Sequence, residues 1–161
     1  MSPARFLCVV ALALAVLAPS AFVQAQEGFV GSWVLDPANS KAPPGAMPAG
    51  GTLEITDAGD GKYKSVSEAS LGGVTGRTEI TYSIDGMDYP MTATPGQPGV
   101  SITQSIERVS DSVYKSSVKM NGQPLATAVT ELSADRKTLT QTTTGLGQFA
   151  AMSSTMVFQR K

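Results

Sequence analysis

Histidine is absent from this chain, and cysteine occurs once, at Cys8 in the apolar run near the N-terminus. Everything after that run therefore lacks both. These absences remove thiol nucleophiles, Ser-His triads and imidazole metal ligands from the available chemistry. They also exclude disulfide staples, so the fold must be held by its core alone. Aromatic residues make up only 6% of the chain, with a single tryptophan, Trp33. Charge of both signs is sparse and balanced, with 12 basic and 13 acidic residues. No basic stripe and no charged tail is present, which argues against nucleic acid as a partner.

The N-terminus carries Arg5, the apolar run "FLCVVALALAVLAPSAFV" and the small-residue pattern Val23-Gln24-Ala25. A basic residue, a greasy core and a compact cleavage site predict a secretory signal over residues 1–25. The run is short for a bilayer-spanning helix, which needs about 20 apolar residues, and Pro19 interrupts it. Removing 25 of 161 residues leaves 26–161 as one domain, with 11 basic and 13 acidic residues because Arg5 is lost. A domain of that size buries roughly two-thirds of its unfolded surface, enough to fold without staples. An exported, disulfide-free chain fits a bacterial periplasm or exterior. With no other long apolar segment, the expectation is a soluble monomer without a transmembrane segment.

Beyond residue 50, turn signals recur at short intervals: Asp60-Gly61, Gly72-Gly73, Asp85-Gly86 and Asn121-Gly122, then "VSDS", "SADRK" and "TGLGQ". Tight hairpin turns need positive φ, which glycine adopts at no steric cost and Asn and Asp tolerate. The intervening segments are rich in Val, Ile, Thr and Tyr and alternate with period two. In "VTGRTEITYSI" one face holds Val74, Gly76, Thr78, Ile80, Tyr82 and Ile84, and the other Thr75, Arg77, Glu79, Thr81 and Ser83. Leu53 with Ile55, Val100 with Ile102 and Ile106, and Met156 with Phe158 repeat the pattern. Ten candidate strands emerge, at 30–36, 51–57, 62–69, 74–84, 88–93, 99–108, 112–120, 125–132, 137–144 and 150–159. No stretch has a 3.6-residue apolar period. Short connections imply a sequential antiparallel meander, and closing it removes both exposed edges. The predicted fold is all-β, an up-and-down barrel of eight to ten strands with no substantial helix.

One connection differs. "PANSKAPPGAMPAGG", 37–51, holds Pro37, Pro43, Pro44 and Pro48, a composition that favours irregular extended chain. It is either a surface excursion or a lid over one mouth of the barrel.

The Gly31-Ser32-Trp33 triplet at the first strand of such a meander resembles the lipocalin and calycin barrels. "GSWVLDPANSK", "GDGKY" and "DGMDYP" are together similar to small secreted, lipocalin-like bacterial proteins. The resemblance spans nearly all of 26–161. It implies that Trp33 plugs one end of the barrel, under Arg160 near the last strand, with Gly31 letting the chain pass close. The chain departs from lipocalins in lacking a disulfide and a C-terminal helix pattern. It departs from fatty-acid-binding barrels in lacking a helical pair after the first strand.

For function, Asp57-x-x-Asp60 and Asp85-x-x-Asp88 are paired carboxylates, but both fall in turns, where Asp bonds local backbone N–H groups. No catalytic residue, metal ligand or cofactor is assigned, and the reading leans away from an enzyme. Tyr82, Ile80 and Thr78 on one strand, and Tyr114, Val118 and Met120 on another, are candidate lining for a cavity that takes a small hydrophobic or amphipathic molecule. Whether the interior is hollow or filled by these side chains is open at this stage. The alternatives are a periplasmic protein-binding module such as a protease inhibitor and, behind it, an enzyme built on carboxylate and Tyr. Placing Trp33 and Arg160 at one end puts ligand access at the other, towards 37–51.

Overall fold

A computed structural model of the protein describes residues 28–161; the expected signal segment lies outside the described residues. Ten strands follow one another: β1 (Gly31–Leu35), β2 (Gly50–Gly59), β3 (Lys62–Leu71), β4 (Val74–Tyr82), β5 (Tyr89–Thr94), β6 (Ile102–Ser110), β7 (Val113–Met120), β8 (Gln123–Leu132), β9 (Thr138–Gly145) and β10 (Ser154–Arg160). Each pairs antiparallel with its neighbours in sequence, and β1 pairs with β10 to close the barrel. The count settles at ten. Residues 150–152, expected at the start of the last strand, instead end a 3-10 turn, Gly147–Met152.

Hairpin chemistry explains the meander. Both central residues have positive φ in the Asp60-Gly61, Gly72-Gly73 and Asn121-Gly122 turns, the geometry that matches the strands' right-handed twist. Register shifts at Asp57/Gly59, Arg108/Ser110 and Val118/Lys119 add local bends that help the sheet curl shut.

The period-two faces sort as the sequence implies except at the β3–β4 turn, where Val74, expected on the inner face, is exposed. Trp33, Leu35, Ile55, Ile80, Tyr82, Tyr114, Leu132, Leu139 and Phe158 are buried. On the outer face, Arg77 bridges Glu68 and Glu79, and Lys64 also reaches Glu79. The densest packing lies at the end where β1 begins. There Phe29, Trp33, Leu132, Leu139, Phe158 and Tyr114 form one cluster.

The 37–51 segment has no helix. Asp36 N–H donates to the Val157 carbonyl, Ser40 Oγ accepts from Val157 N–H, and Lys41 pairs with Thr155, all along β10. Ala49 N–H then donates to Ser70 on β3. The prolines thus lie on a path fastened at both ends.

Candidate ligand-binding site

The barrel interior is hollow. A cavity of about 240 Å³ is bounded by Leu53, Thr78, Ile80, Met91, Val118 and Phe158, among others. A second space of about 80 Å³ adjoins it towards Phe29, Ile55, Tyr82, Ile106 and Tyr114. The two share Leu53, Ser65, Ile80, Gln104, Ser116 and Gln141. Together they reach the lower end of the range of typical small-molecule sites, roughly 300–1,000 Å³. Alternation produces this lining: each strand sends every second residue inward. Small side chains at Ala126 and Ala128 on β8 leave the space that larger ones would fill.

The wall is aliphatic and aromatic, interrupted by hydroxyls and amides from Ser65, Ser67, Thr78, Gln104, Ser116, Gln141 and Thr143. Tyr114 stands apart from these. It is 5% exposed, its ring meets Phe29 edge-on at 4.5 Å, and its hydroxyl is buried with no hydrogen-bond partner. Burial pushes its phenol up to about 12, against a small opposing pull from Arg108. Buried phenol hydroxyls normally have a partner, so this one is free to bond an incoming group.

Of the six candidate lining residues, Tyr82, Ile80, Thr78, Tyr114 and Val118 border the hollow interior. Met120 borders neither space. It lies beyond the register shift at Val118/Lys119, where β7 and β8 fall out of step. The expectations did not single out Gln104, Gln141 or Phe29. Gln104 was legible, since it shares the period-two face of Ile102 and Ile106. Gln141 sits in the uniformly polar "TLTQTTTG", where no apolar rhythm marks the inner face, and Phe29 precedes the first strand.

At the tryptophan end, Trp33 is fully buried and its indole Nε1–H donates to the Phe29 carbonyl at 3.0 Å. The Arg160 guanidinium lies over the ring, 4.1 Å from the centroid. It also donates to the carbonyls of Val30 (3.0 Å), Arg136 (2.7 Å) and Gly28. A Cβ at Gly31 would stand 2.5 Å from Arg160 Nη1, and φ there is +144°. Gly31 therefore leaves the room Arg160 occupies.

That end is not sealed all round. A recess of about 930 Å³ opens among the β2–β3, β4–β5 and β6–β7 turns, bordered by Asp57, Asp60, Tyr63, Asp85, Arg108 and Asp111, with Tyr114 at its inner edge. The expectation of access only from the opposite end overlooked it, because turn residues far apart in sequence build it. None of the Pro-rich segment borders the interior cavity.

Asp57 and Asp85 do turn work: Asp57 accepts from Gly59 N–H, and Asp85 from Met87 N–H and the Tyr89 hydroxyl. Asp88 instead forms an ion pair with Lys119 of β7. Among the described residues no acidic cluster is arranged to hold a metal ion, and no helix is long and apolar enough to cross a membrane.

No family model and no curated protein matches the chain. Solved structures do. The fluorescent protein UnaG aligns at 18% identity with a TM-score of 0.60, covering 84% of this chain and 99% of its own. A Schistosoma mansoni fatty-acid-binding protein in complex with arachidonic acid aligns at 17% and 0.60, covering 85% and 98%. A zebrafish ileal bile-acid-binding protein complexed with cholic acid aligns at 14% and 0.56, covering 83% and 99%. At these identities the likeness is one of architecture: the chain folds as a closed, ten-stranded, calycin-like barrel.

Proposed function

We propose that this protein is an exported barrel that binds one small hydrophobic or amphipathic molecule inside the β-sheet. The observation that carries the reading is the hollow interior, apolar on its walls, with Ser65, Gln104, Ser116 and Gln141 converging and one buried hydroxyl left without a partner. Apolar walls supply affinity by removing hydrocarbon from water, and a few polar groups fix orientation. Tyr82, Ile80, Thr78, Tyr114 and Val118 line the bound molecule in this reading. Gly31, Trp33 and Arg160 hold the adjacent end rigid. The solved neighbours whose names include arachidonic acid and cholic acid support a ligand of apolar character. The N-terminal 25-residue signal pattern supports export.

Native mass spectrometry of the purified protein is expected to show an adduct of one small molecule, removable by organic extraction. Nile red should then bind the stripped protein with a blue-shifted emission. Ala128→Phe places a ring in the cavity and is expected to weaken that binding at least tenfold while the circular dichroism spectrum stays all-β. Nile red binding that survives the substitution unchanged would locate the dye elsewhere and remove the support for an interior site.

A further inference from the structure

We propose that the barrel selects an uncharged amphiphile, whose neutral polar end (a hydroxyl, amide or ester) hydrogen-bonds the Tyr114 hydroxyl, and that it discriminates against carboxylates. This rests on the interior-binding reading above and specifies its ligand class.

The argument is one of charge and partners. Apart from Lys115, the cavity's polar side chains are hydroxyls and primary amides. A carboxylate moved there from water loses its hydration and needs a cation or several strong donors in return. Among the described residues, the cations near the interior already have partners. Arg160 stacks on Trp33 and donates to three backbone carbonyls. Arg108 donates to the Asp111 carboxylate and to the Ser110 carbonyl. Lys115, the one charged residue bordering the inner space, is half exposed, with its ammonium 3.8 Å from Glu107.

The recess next to Tyr114 adds a second bias of the same sign. Asp57, Asp60, Asp85, Glu107 and Asp111 border it against Arg108 alone. An anionic head group placed there meets net negative potential. Tyr114 remains, a fully enclosed hydroxyl that both donates and accepts. Burial keeps it protonated, and it suits a neutral oxygen or amide. Ser116, also buried and on the same face of β7, extends the neutral polar track inward.

The test displaces Nile red from the stripped protein with 1-dodecanol and dodecanoic acid, which share one alkyl chain, at neutral pH and below their aggregation limits. The alcohol is expected to compete at concentrations about tenfold or more below the acid. An acid that competes as well as the alcohol overturns the selectivity yet leaves interior binding standing. Failure of both competitors, with no Nile red signal, overturns both readings. Tyr114→Phe removes only the oxygen and keeps the ring on Phe29. It is expected to weaken the alcohol severalfold and leave the acid unchanged, the loss of one neutral hydrogen bond. Unchanged alcohol affinity in that variant would overturn the assignment to Tyr114.

Discussion

Tyr114 sets function against stability at a single atom. Its buried hydroxyl has no hydrogen-bond partner, and an unsatisfied buried polar group costs about 1–3 kcal/mol. Tyr114→Phe is therefore expected to raise the melting temperature of the ligand-free protein by several degrees while weakening binding. Thermal melts of stripped wild type and variant read this directly, and a variant that melts lower would show that the hydroxyl is satisfied. The phenol lies above its ordinary value, at about 12. For a group whose folded value is raised, the contribution is intact below the unfolded value and is lost as pH rises through the folded one. An absorbance titration should contain a late tyrosine step near pH 12 that Tyr114→Phe removes, with stability falling above about pH 10. At the opposite extreme of satisfaction, Trp33 is fully buried and bonded. Trp33→Ala should cost about 3–5 kcal/mol, the range for emptying a large core site. Gly31→Ala should cost about 1–3 kcal/mol, because the added methyl meets Arg160 and the backbone holds a positive φ. Urea denaturation measures both.

Among the elements, the seams β1–β10 and β5–β6 each have three residue pairs, but the first is extended by the Asp36 and Lys161 backbone N–H groups, whereas one pair of the second runs through Pro90, which has no N–H to give. By contrast, β7 and β8 pair along almost their whole length. Hydrogen exchange is expected to be fastest among the strands in β5 and at the start of β6, and slowest in β7 and β8. Because Met91 of β5 borders the cavity, bound ligand should slow exchange there. Exchange at β5 as slow as at β7 would contradict this ranking. The β9–β10 connection depends on Gly145. Any Cβ there would collide with the Phe149 backbone of the 3-10 turn packed over it. The ion pairs on β3 and β4 are exposed on both partners, a setting in which water and salt screen most of the attraction.

For the molecule as a whole, closure removes the sheet edges that would otherwise invite pairing with other chains, and it encloses the space that gives the protein its proposed role. Several carboxylates on the turns are held below their ordinary values by local donors. The Asn39 side chain leads for Asp36, the Tyr89 hydroxyl for Asp85 and the Ser133 hydroxyl for Asp135. On β4, Lys64 leads for Glu79. A depressed folded value gives stability that is present above the unfolded value and lost as pH falls through the folded one. Melting temperature is therefore expected to stay level from neutral pH to about pH 4.5 and to fall below it.

Much of this architecture was written in local chemistry. Period-two alternation, as in Thr78-Ile80-Tyr82 against Arg77-Glu79-Thr81, and turns such as Asp60-Gly61 and Asn121-Gly122 depend on neighbours a few residues apart. They determined strands, faces and the meander. Trp33, Gly31 and Arg160 were legible as a group because a lone tryptophan in a Gly-Ser-Trp triplet carries a recognisable pattern. The tertiary structure decided the rest. Whether the interior is filled or hollow depends on the summed volumes of side chains from all ten strands, and small residues such as Ala126 and Ala128 tip it towards hollow. The recess at the tryptophan end and the unpartnered hydroxyl of Tyr114 arise where segments distant in sequence meet. Hydrophobic rhythm is a local signal, whereas cavity volume and the balance of buried charge are sums over the closed barrel.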